Sequence, residues 1–177
     1  PLARGAFQLM SPNLYYSIYS WPTSDLILVA SANGLCRLVF ARQTDENRFL
    51  AEFSLNYHIS KDEKPFAEVR AQLDRYFNGE NIDWHLPMDF LSGTDFQRLV
   101  WSYLRNIPYG HTVTYGQIAK ELGKPGASRA VGAANGANPI PIIIPCHRVL
   151  AGAGKLGGYS GGLEIKQALL SLEGVLL

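Results

Sequence analysis

The stretch that most constrains this chain is Ile140 to Val149, reading I-P-I-I-I-P-C-H-R-V. An apolar run, Ile142 to Ile144, is stopped by Pro145, and a cysteine, a histidine and an arginine follow at once. The pattern predicts a buried strand that ends in a rigid turn and presents Cys146. Proline fixes φ and suits the first position of a helical turn, which would aim free backbone N–H groups at the Cys146 sulfur. Such donors, with His147 adjacent, favour thiolate over thiol. A second reading stands beside this one. A lone cysteine is most often a small buried apolar residue, and a thiol beside a histidine is a weak signal by itself.

With 177 residues the chain can hold one large or two small domains with real cores. Apolar content of 47% and charged content of 18% are those of an ordinary globular protein. Cys36 and Cys146 lie far apart and make no metal-ligand spacing. Neither a disulfide framework nor a metal site is expected, and a reducing, intracellular setting is. No apolar run reaches ~18 residues and no basic-then-apolar leader opens the chain, so neither a membrane span nor secretion is expected. The net charge of +1 hides an asymmetry. Residues 1–91 carry 8 basic and 11 acidic side chains, whereas residues 92–177 carry 8 and 4. The C-terminal half could therefore face a polyanion, although an ordinary solvated surface gives the same balance.

Taken in order, residues 1–13 read as an irregular lead-in. Leu14 to Trp21, Asp25 to Ala32 and Leu35 to Phe40 have strand composition, and Asn33-Gly34 is a hairpin signal between the last two. They predict a small antiparallel sheet with Cys36 in its core. Asp45 to Tyr57 is a weaker helix candidate. Pro65 to Phe77 is a stronger one, with Phe66, Val69, Leu73 and Phe77 at helical spacing and Asn78-Gly79 to end it. Trp84 to Met88 reads as a short closing strand, and His58 and His85 as isolated histidines. Nothing before residue 91 proposes chemistry, so residues 1–90 read as an α/β (α+β) scaffold domain: a small antiparallel sheet with flanking helices.

Residues 91–177 read as a mainly helical domain, reached through a linker at Pro87 to Gly93. Thr94 to Asn106 is amphipathic. Thr114-Tyr115-Gly116-Gln117 is a capping box that opens a helix ending at Gly123. Pro125 lets a second helix begin and run to about Gly136. Two short helices joined by a Gly/Pro turn read as a helix-turn-helix, or as an ordinary helical hairpin. The second helix carries Ala127, Ser128, Ala130, Gly132, Ala133, Ala134 and Gly136, with Arg129 its only long charged side chain. Small residues permit close approach to another helix or to a groove, and an arginine on such a face suits bases or phosphates. After a flexible loop, Tyr159-Ser160-Gly161-Gly162 is a candidate site lip. Leu163 to Leu172 reads as a closing helix with Leu163, Ala168, Leu169 and Leu172 inward. Glu173 follows it, either a solvated helix end or a carboxylate that reaches the cysteine.

The motifs P-C-H-R-V at 145–149, R-A-V-G-A-A-N-G at 129–136, N-P at 138–139, Y-S-G-G at 159–162 and L-x-x-E-G at 170–174 together carry a resemblance. The chain resembles the O6-alkylguanine-DNA alkyltransferases (methylated-DNA–protein-cysteine methyltransferases), the direct-reversal repair proteins. The likeness implies that Cys146 accepts the alkyl group from O6 of guanine by in-line displacement. It implies His147 as the base acting through a bridging water, Glu173 as the residue that orients it, and Asn138 as the link between the helix-turn-helix and the cysteine loop. Tyr115 would donate to the base, the Val149 carbonyl and Ser160 would read its edge, and Tyr159 would wall the pocket. Arg129 would fill the gap left by a flipped nucleotide. The helix bearing Ala127, Ser128, Gly132 and Asn135 would enter the minor groove.

The implied partner is double-stranded DNA carrying O6-alkylguanine, with O4-alkylthymine a further candidate. The implied protein is a single-turnover monomer, cytoplasmic or, in a eukaryote, nuclear, with no cofactor, metal or membrane. Two other classes stay open: a thiol hydrolase built on Cys146, His147 and Glu173, and a non-catalytic sensor of alkylation damage. The presence of Cys146 counts against the sensor.

Overall fold

A computed structural model describes residues 12–42 and 44–176. The lead-in expected over residues 1–13 lies almost wholly outside them. Strands β1 (Asn13–Tyr19), β2 (Leu26–Ser31) and β3 (Gly34–Phe40) pair antiparallel as their composition predicts. A fourth strand, β4 (His58–Lys61), adds to the outer edge of β1 in parallel, so the sheet is mixed, in the order β3-β2-β1-β4. Its sequence, HISK, is mostly exposed and carries no apolar run, which is why composition did not reveal it. Helix α1 (Glu46–Ser54), capped by Asp45 on the Arg48 amide, makes the return that a parallel edge requires.

Both faces of the sheet are covered. Leu14, Ile27, Val29 and Cys36 pack with Phe49 of α1 on one side. On the other side Leu26, Leu28, Leu38 and Phe40 meet Phe66 and the inner face of α2 (Ala67–Phe77), and the same core continues through Val100, Trp101 and Ile140 to Ile144. The two halves of the chain thus share one core. Backbone bonds cross as well: the Leu38 amide donates to the Pro139 carbonyl at 2.9 Å.

Trp84 to Met88 does not form the closing strand that its composition suggests. It touches β3 through one bridge, Met88 to Leu35, with the Leu35 amide on the Pro87 carbonyl at 2.9 Å. Pro87 has no amide to extend that ladder. The approach is close enough to require glycine at position 34. Its φ is +151°, and a Cβ there would lie 2.5 Å from the Pro87 carbonyl oxygen.

Helix α3 (Asp95–Leu104) and helix α4 (Tyr115–Glu121) both open on capping boxes, Thr94 with Gln97 and Thr114 with Gln117. Gly123, at φ +70°, ends α4, and Lys124 bonds back to the Ala119 carbonyl at 2.8 Å. Helix α5 (Ser128–Gly136) then packs on α3 and α4 and completes the helix-turn-helix. Two short strands, β5 (Val113–Thr114) and β6 (Val149–Leu150), pair in parallel and tie the start of α4 to the segment after Cys146. The last helix, α6 (Leu163–Leu172), buries Ile165, Lys166, Leu169 and Leu170. Of the expected inward residues, Leu169 is buried, Leu172 packs against the core and Ala168 is half-buried, but Leu163 is not inward. Leu163 stands in the first turn, ahead of the 165/169 and 166/170 pairs that meet the core, and is 49% exposed.

Candidate active site

The segment before Cys146 is buried as expected but is not a strand. Pro139, Pro141 and Pro145 interrupt any ladder, and residues 140–144 fold into successive turns with one local bridge, Pro141 to Ile144. Ile142 takes φ +76°, a left-handed conformation that costs a β-branched residue roughly 1–2 kcal/mol. Burial of Ile140, Ile142, Ile143 and Ile144, each at most 1% exposed, holds it there. Asn138 clips the loop from inside. Its Nδ2 donates to the Ile144 carbonyl at 2.7 Å, and its Oδ1 accepts from the Ile140 amide at 3.0 Å.

Residues 146–148 make one 3-10 turn. That is the turn a neighbouring cysteine and histidine need if they are to serve one site. Cys146, 1% exposed, lines a cavity of about 230 Å³ with Tyr115, Gly132, Asn135, Tyr159 and Ser160. A larger hollow of about 560 Å³ lies beside Pro145 and Arg148, lined by Trp84, Arg105 and Tyr109, and is not lined by Cys146.

The expected thiolate is not the resting state. Burial pushes the Cys146 thiol up to about 11, against the opposing pull of the Asn138 amide, the Tyr159 hydroxyl and the Lys166 charge. The Cys146 amide also favours the thiolate, but only weakly, because it is shared with the Ile144 carbonyl at 2.7 Å, and the Arg148 amide is bonded to the Pro145 carbonyl at 3.0 Å. The cysteine rests as a thiol and needs a base when it reacts.

Behind the turn lies a buried polar network centred on Glu173. The residue is 5% exposed, so the solvated helix end is excluded. Its Oε1 accepts from His147 Nε2 at 2.8 Å, from Arg148 Nη2 at 2.9 Å and from the Tyr76 hydroxyl at 2.6 Å. Its Oε2 accepts from Arg148 Nε at 2.9 Å and from the Gly110 amide at 3.2 Å. Burial alone would raise the carboxyl's pKa. The hydrogen bonds from His147 and Arg148 and their charges prevail and hold it well below the usual carboxylate range. Burial pushes the His147 imidazole down, only partly offset by Glu173, and so favours the neutral ring. An ionised Glu173 can only accept, which puts the imidazole proton on Nε2 and leaves Nδ1 as the basic nitrogen. Nδ1 is buried and has no protein partner among the described residues.

The remaining predicted residues divide. Tyr115, Tyr159 and Ser160 line the cysteine cavity. The Val149 carbonyl is buried and accepts from Lys166 Nζ at 2.6 Å. Ala127 and Ser128 lie at the start of α5, half-buried, and Arg129 is exposed beside them. Gly132 faces Tyr115, where a Cβ would sit 3.9 Å from the ring, an ordinary van der Waals contact. Asn135 does not belong with the outward face of this helix. It is 4% exposed and its Nδ2 donates to the Cys146 carbonyl at 3.4 Å. At one helical turn beyond Val131, it shares that residue's inner face.

Four residues escaped the sequence reading. Arg148 stood within the P-C-H-R motif. Lys166 interrupts the apolar face of α6, a break visible in the pattern. Tyr76 and Tyr109 had no signal, because aromatic residues near Leu73 and in a turn look like ordinary packing.

Fold and site define a class: a buried thiol, backed by a histidine–carboxylate pair, beside the second helix of a helix-turn-helix. Comparison with known proteins is consistent with that class. Residues 14–90 match the 6-O-methylguanine DNA methyltransferase ribonuclease-like domain and residues 95–175 the DNA binding domain of the same methyltransferase. A methylated-DNA–protein-cysteine methyltransferase of Mycobacterium bovis is 44% identical over 160 residues, 90% of this chain and 92% of that one. One from Methanosarcina acetivorans is 44% identical over 163 residues, 91% and 99% of the two chains. The crystal structure of Mycobacterium tuberculosis OGT in complex with DNA superposes with a TM-score of 0.79 at 43% identity, covering 90% of this chain and 92% of that one. The O6-methylguanine-DNA methyltransferase of Pyrococcus kodakaraensis gives 0.66 at 28% identity, covering 92% and 99%. The chain belongs to the 6-O-methylguanine DNA methyltransferase family.

Proposed function

We propose that this protein repairs double-stranded DNA directly, moving the alkyl group of an O6-alkylguanine onto Cys146 once per molecule. The observation that carries the reading is the placement of Cys146. Its cavity is walled by Gly132 of the helix-turn-helix and by Tyr115, while His147 and Glu173 lie behind it. The target atom is out of reach in stacked duplex, so the damaged nucleotide turns out of the helix before it reacts. The exposed flank of α5, with Arg129, Ala130, Ala133, Gly136 and Ala137, is small enough to enter the minor groove, and Arg129 is long enough to fill the vacated place.

In the reaction the thiol proton moves through a bridging water to His147 Nδ1, and Glu173 stabilises the imidazolium that forms. Sγ attacks the alkyl carbon in line with O6. The S–C bond forms, the C–O6 bond breaks, and its electron pair stays on guanine. The Tyr115 hydroxyl, whose pKa is raised by burial and by Cys146, remains protonated and donates as that charge builds. Overall the thiol's proton replaces the alkyl group on guanine and a thioether remains on the protein. No step regenerates the thiol. One monomer serves one lesion without a cofactor, in the compartment that holds the DNA, cytoplasm or nucleus, and O4-alkylthymine is a second candidate substrate.

The test is intact-protein mass spectrometry after incubation with a duplex bearing one O6-methylguanine. The expected result is a single added methyl per chain, mapped to Cys146, and none on Cys146→Ala, which still binds the alkylated duplex. Unchanged mass with retained binding would replace the proposal with a damage sensor. Unchanged mass with turnover of an ester would replace it with a hydrolase.

A further inference from the structure

We infer that Tyr76 is a positioning residue for the alkyl transfer: from α2, in the N-terminal half, its hydroxyl fixes the Glu173 carboxylate against His147. The inference rests on the alkyl-transfer reading above. Tyr76 is 0% exposed, and its hydroxyl lies 2.6 Å from Glu173 Oε1 and 3.5 Å from His147 Nε2. It therefore shares with His147 the one oxygen that must receive the Nε2 proton. The ring has no room to turn, because Phe77, Trp84 and Tyr109 pack around it with centroids 5.4, 5.6 and 6.2 Å away. A buried tyrosine hydroxyl needs a partner, and many carbonyls would serve for stability alone. This one is spent on the carboxylate behind the reactive turn.

A phenol does there what a second arginine could not. It donates to Oε1 without adding positive charge, so Glu173 is oriented and its pull on the imidazole is tempered. Removing the hydroxyl leaves Oε1 to His147 and Arg148 alone. The carboxylate then stabilises imidazolium more strongly, and His147 stays protonated, unable to act as a base, to a higher pH. The other groups facing the pair are Cys146 and Arg148 from the same turn, Tyr109 from the loop after α3, and Lys166 and Tyr159 from the C-terminal segment. All of them are retained when Tyr76 becomes phenylalanine.

The experiment is single-turnover transfer from an O6-methylguanine duplex over roughly pH 5 to 9, the range in which histidine titrates, with duplex affinity measured separately. For Tyr76→Phe the expected affinity is within about twofold of wild type, while the limiting transfer rate falls about tenfold, a loss confined to the chemical step. The acid limb of the pH–rate profile moves to higher pH. Tyr109→Phe, which removes a neighbouring hydroxyl from the Leu172 carbonyl rather than from Glu173, leaves the limb in place. Site-specific 3-fluorotyrosine at position 76, a stronger donor of nearly the same size, moves the limb to lower pH.

A wild-type rate with an unmoved limb in Tyr76→Phe overturns the inference. So does an equal fall in both phenylalanine variants without movement of the limb, which marks a packing role. If Tyr76→Phe does not fold, the fluorotyrosine protein decides, and an unmoved limb there is equally fatal. Absence of methyl transfer in the wild type would remove the reaction itself, and the inference with it.

Discussion

Lys166 shows how much of this site depends on a side chain that touches no substrate. It is 0% exposed on the inner face of α6, and its ammonium donates to the carbonyls of Val149 at 2.6 Å, Gly158 at 3.5 Å and Leu156. One cation thus holds β6 to the loop that carries the cavity lip. Burial lowers its pKa to about 8, so it stays charged at neutral pH and lends positive potential to Cys146. Lys166→Met keeps the aliphatic stem and removes the donors from three carbonyls. The expected loss is about 1–3 kcal/mol of stability, the cost of leaving buried acceptors unpaired. Hydrogen exchange at Gly157 and Gly158 should quicken while the α2 amides keep their protection. Unchanged exchange in that loop would show that Lys166 does not clamp it. The lysine also accounts for the Val149 carbonyl, which the family resemblance assigns to the base edge: one lone pair is already taken by Nζ.

Among the elements, α4 and α5 were the most legible and the cysteine loop the least. The Thr114–Gln117 capping box, the stop at Gly123 and the small-residue pattern of α5 all act locally, so the sequence displays them directly. Residues 140–144 hide their conformation because three isoleucines normally announce a strand; the left-handed Ile142 is enforced by the surrounding core, which is not local, and by the Asn138 clip, which is local but gives no pattern signal. β4 was hidden for the opposite reason, being exposed and short. The network behind Cys146 was half legible. His147 and Arg148 belong to one motif, but Tyr76 joins Glu173 across 97 residues of chain. For α5 itself the test is Arg129→Ala. Arg129 is exposed and outside the cysteine cavity, so it should not affect reaction with the free base O6-benzylguanine by more than about twofold. Transfer from duplex should fall roughly 10- to 100-fold, a few kcal/mol of lost base extrusion. Equal losses on the two substrates would exclude a role in holding the flipped state.

At the scale of the molecule, the N-terminal half is more than a scaffold laid beside a reactive half. One core runs from the sheet into residues 140–144, β3 bonds the Pro139 carbonyl, and Tyr76 reaches Glu173. The two halves should therefore unfold together, and acid should reveal the link between them. Glu173 titrates in the fold well below its ordinary range, so the unfolded chain binds a proton that the native state refuses. The stability this contributes is complete above the unfolded carboxyl's pKa of about 4.3 and is lost as pH falls below it. His147 acts in the same direction from higher pH: burial lowers its folded pKa, so its contribution is lost as pH falls through the unfolded value of about 6.5. Wild-type stability should thus decline gently below about pH 7 and steeply below about pH 5, with amides of β2 and of α3 lost in one transition. Glu173→Gln removes the steep part. It should cost about 3–5 kcal/mol at pH 7, because Arg148 is left buried without its carboxylate, and it should depend less on pH between about 5 and 3 than wild type does. Urea unfolding of both proteins at neutral and acid pH measures this. If the two lose the same amount on acidification, the acid sensitivity lies in carboxylates other than Glu173, and two separate transitions would mean that the halves are joined less tightly than their shared core requires.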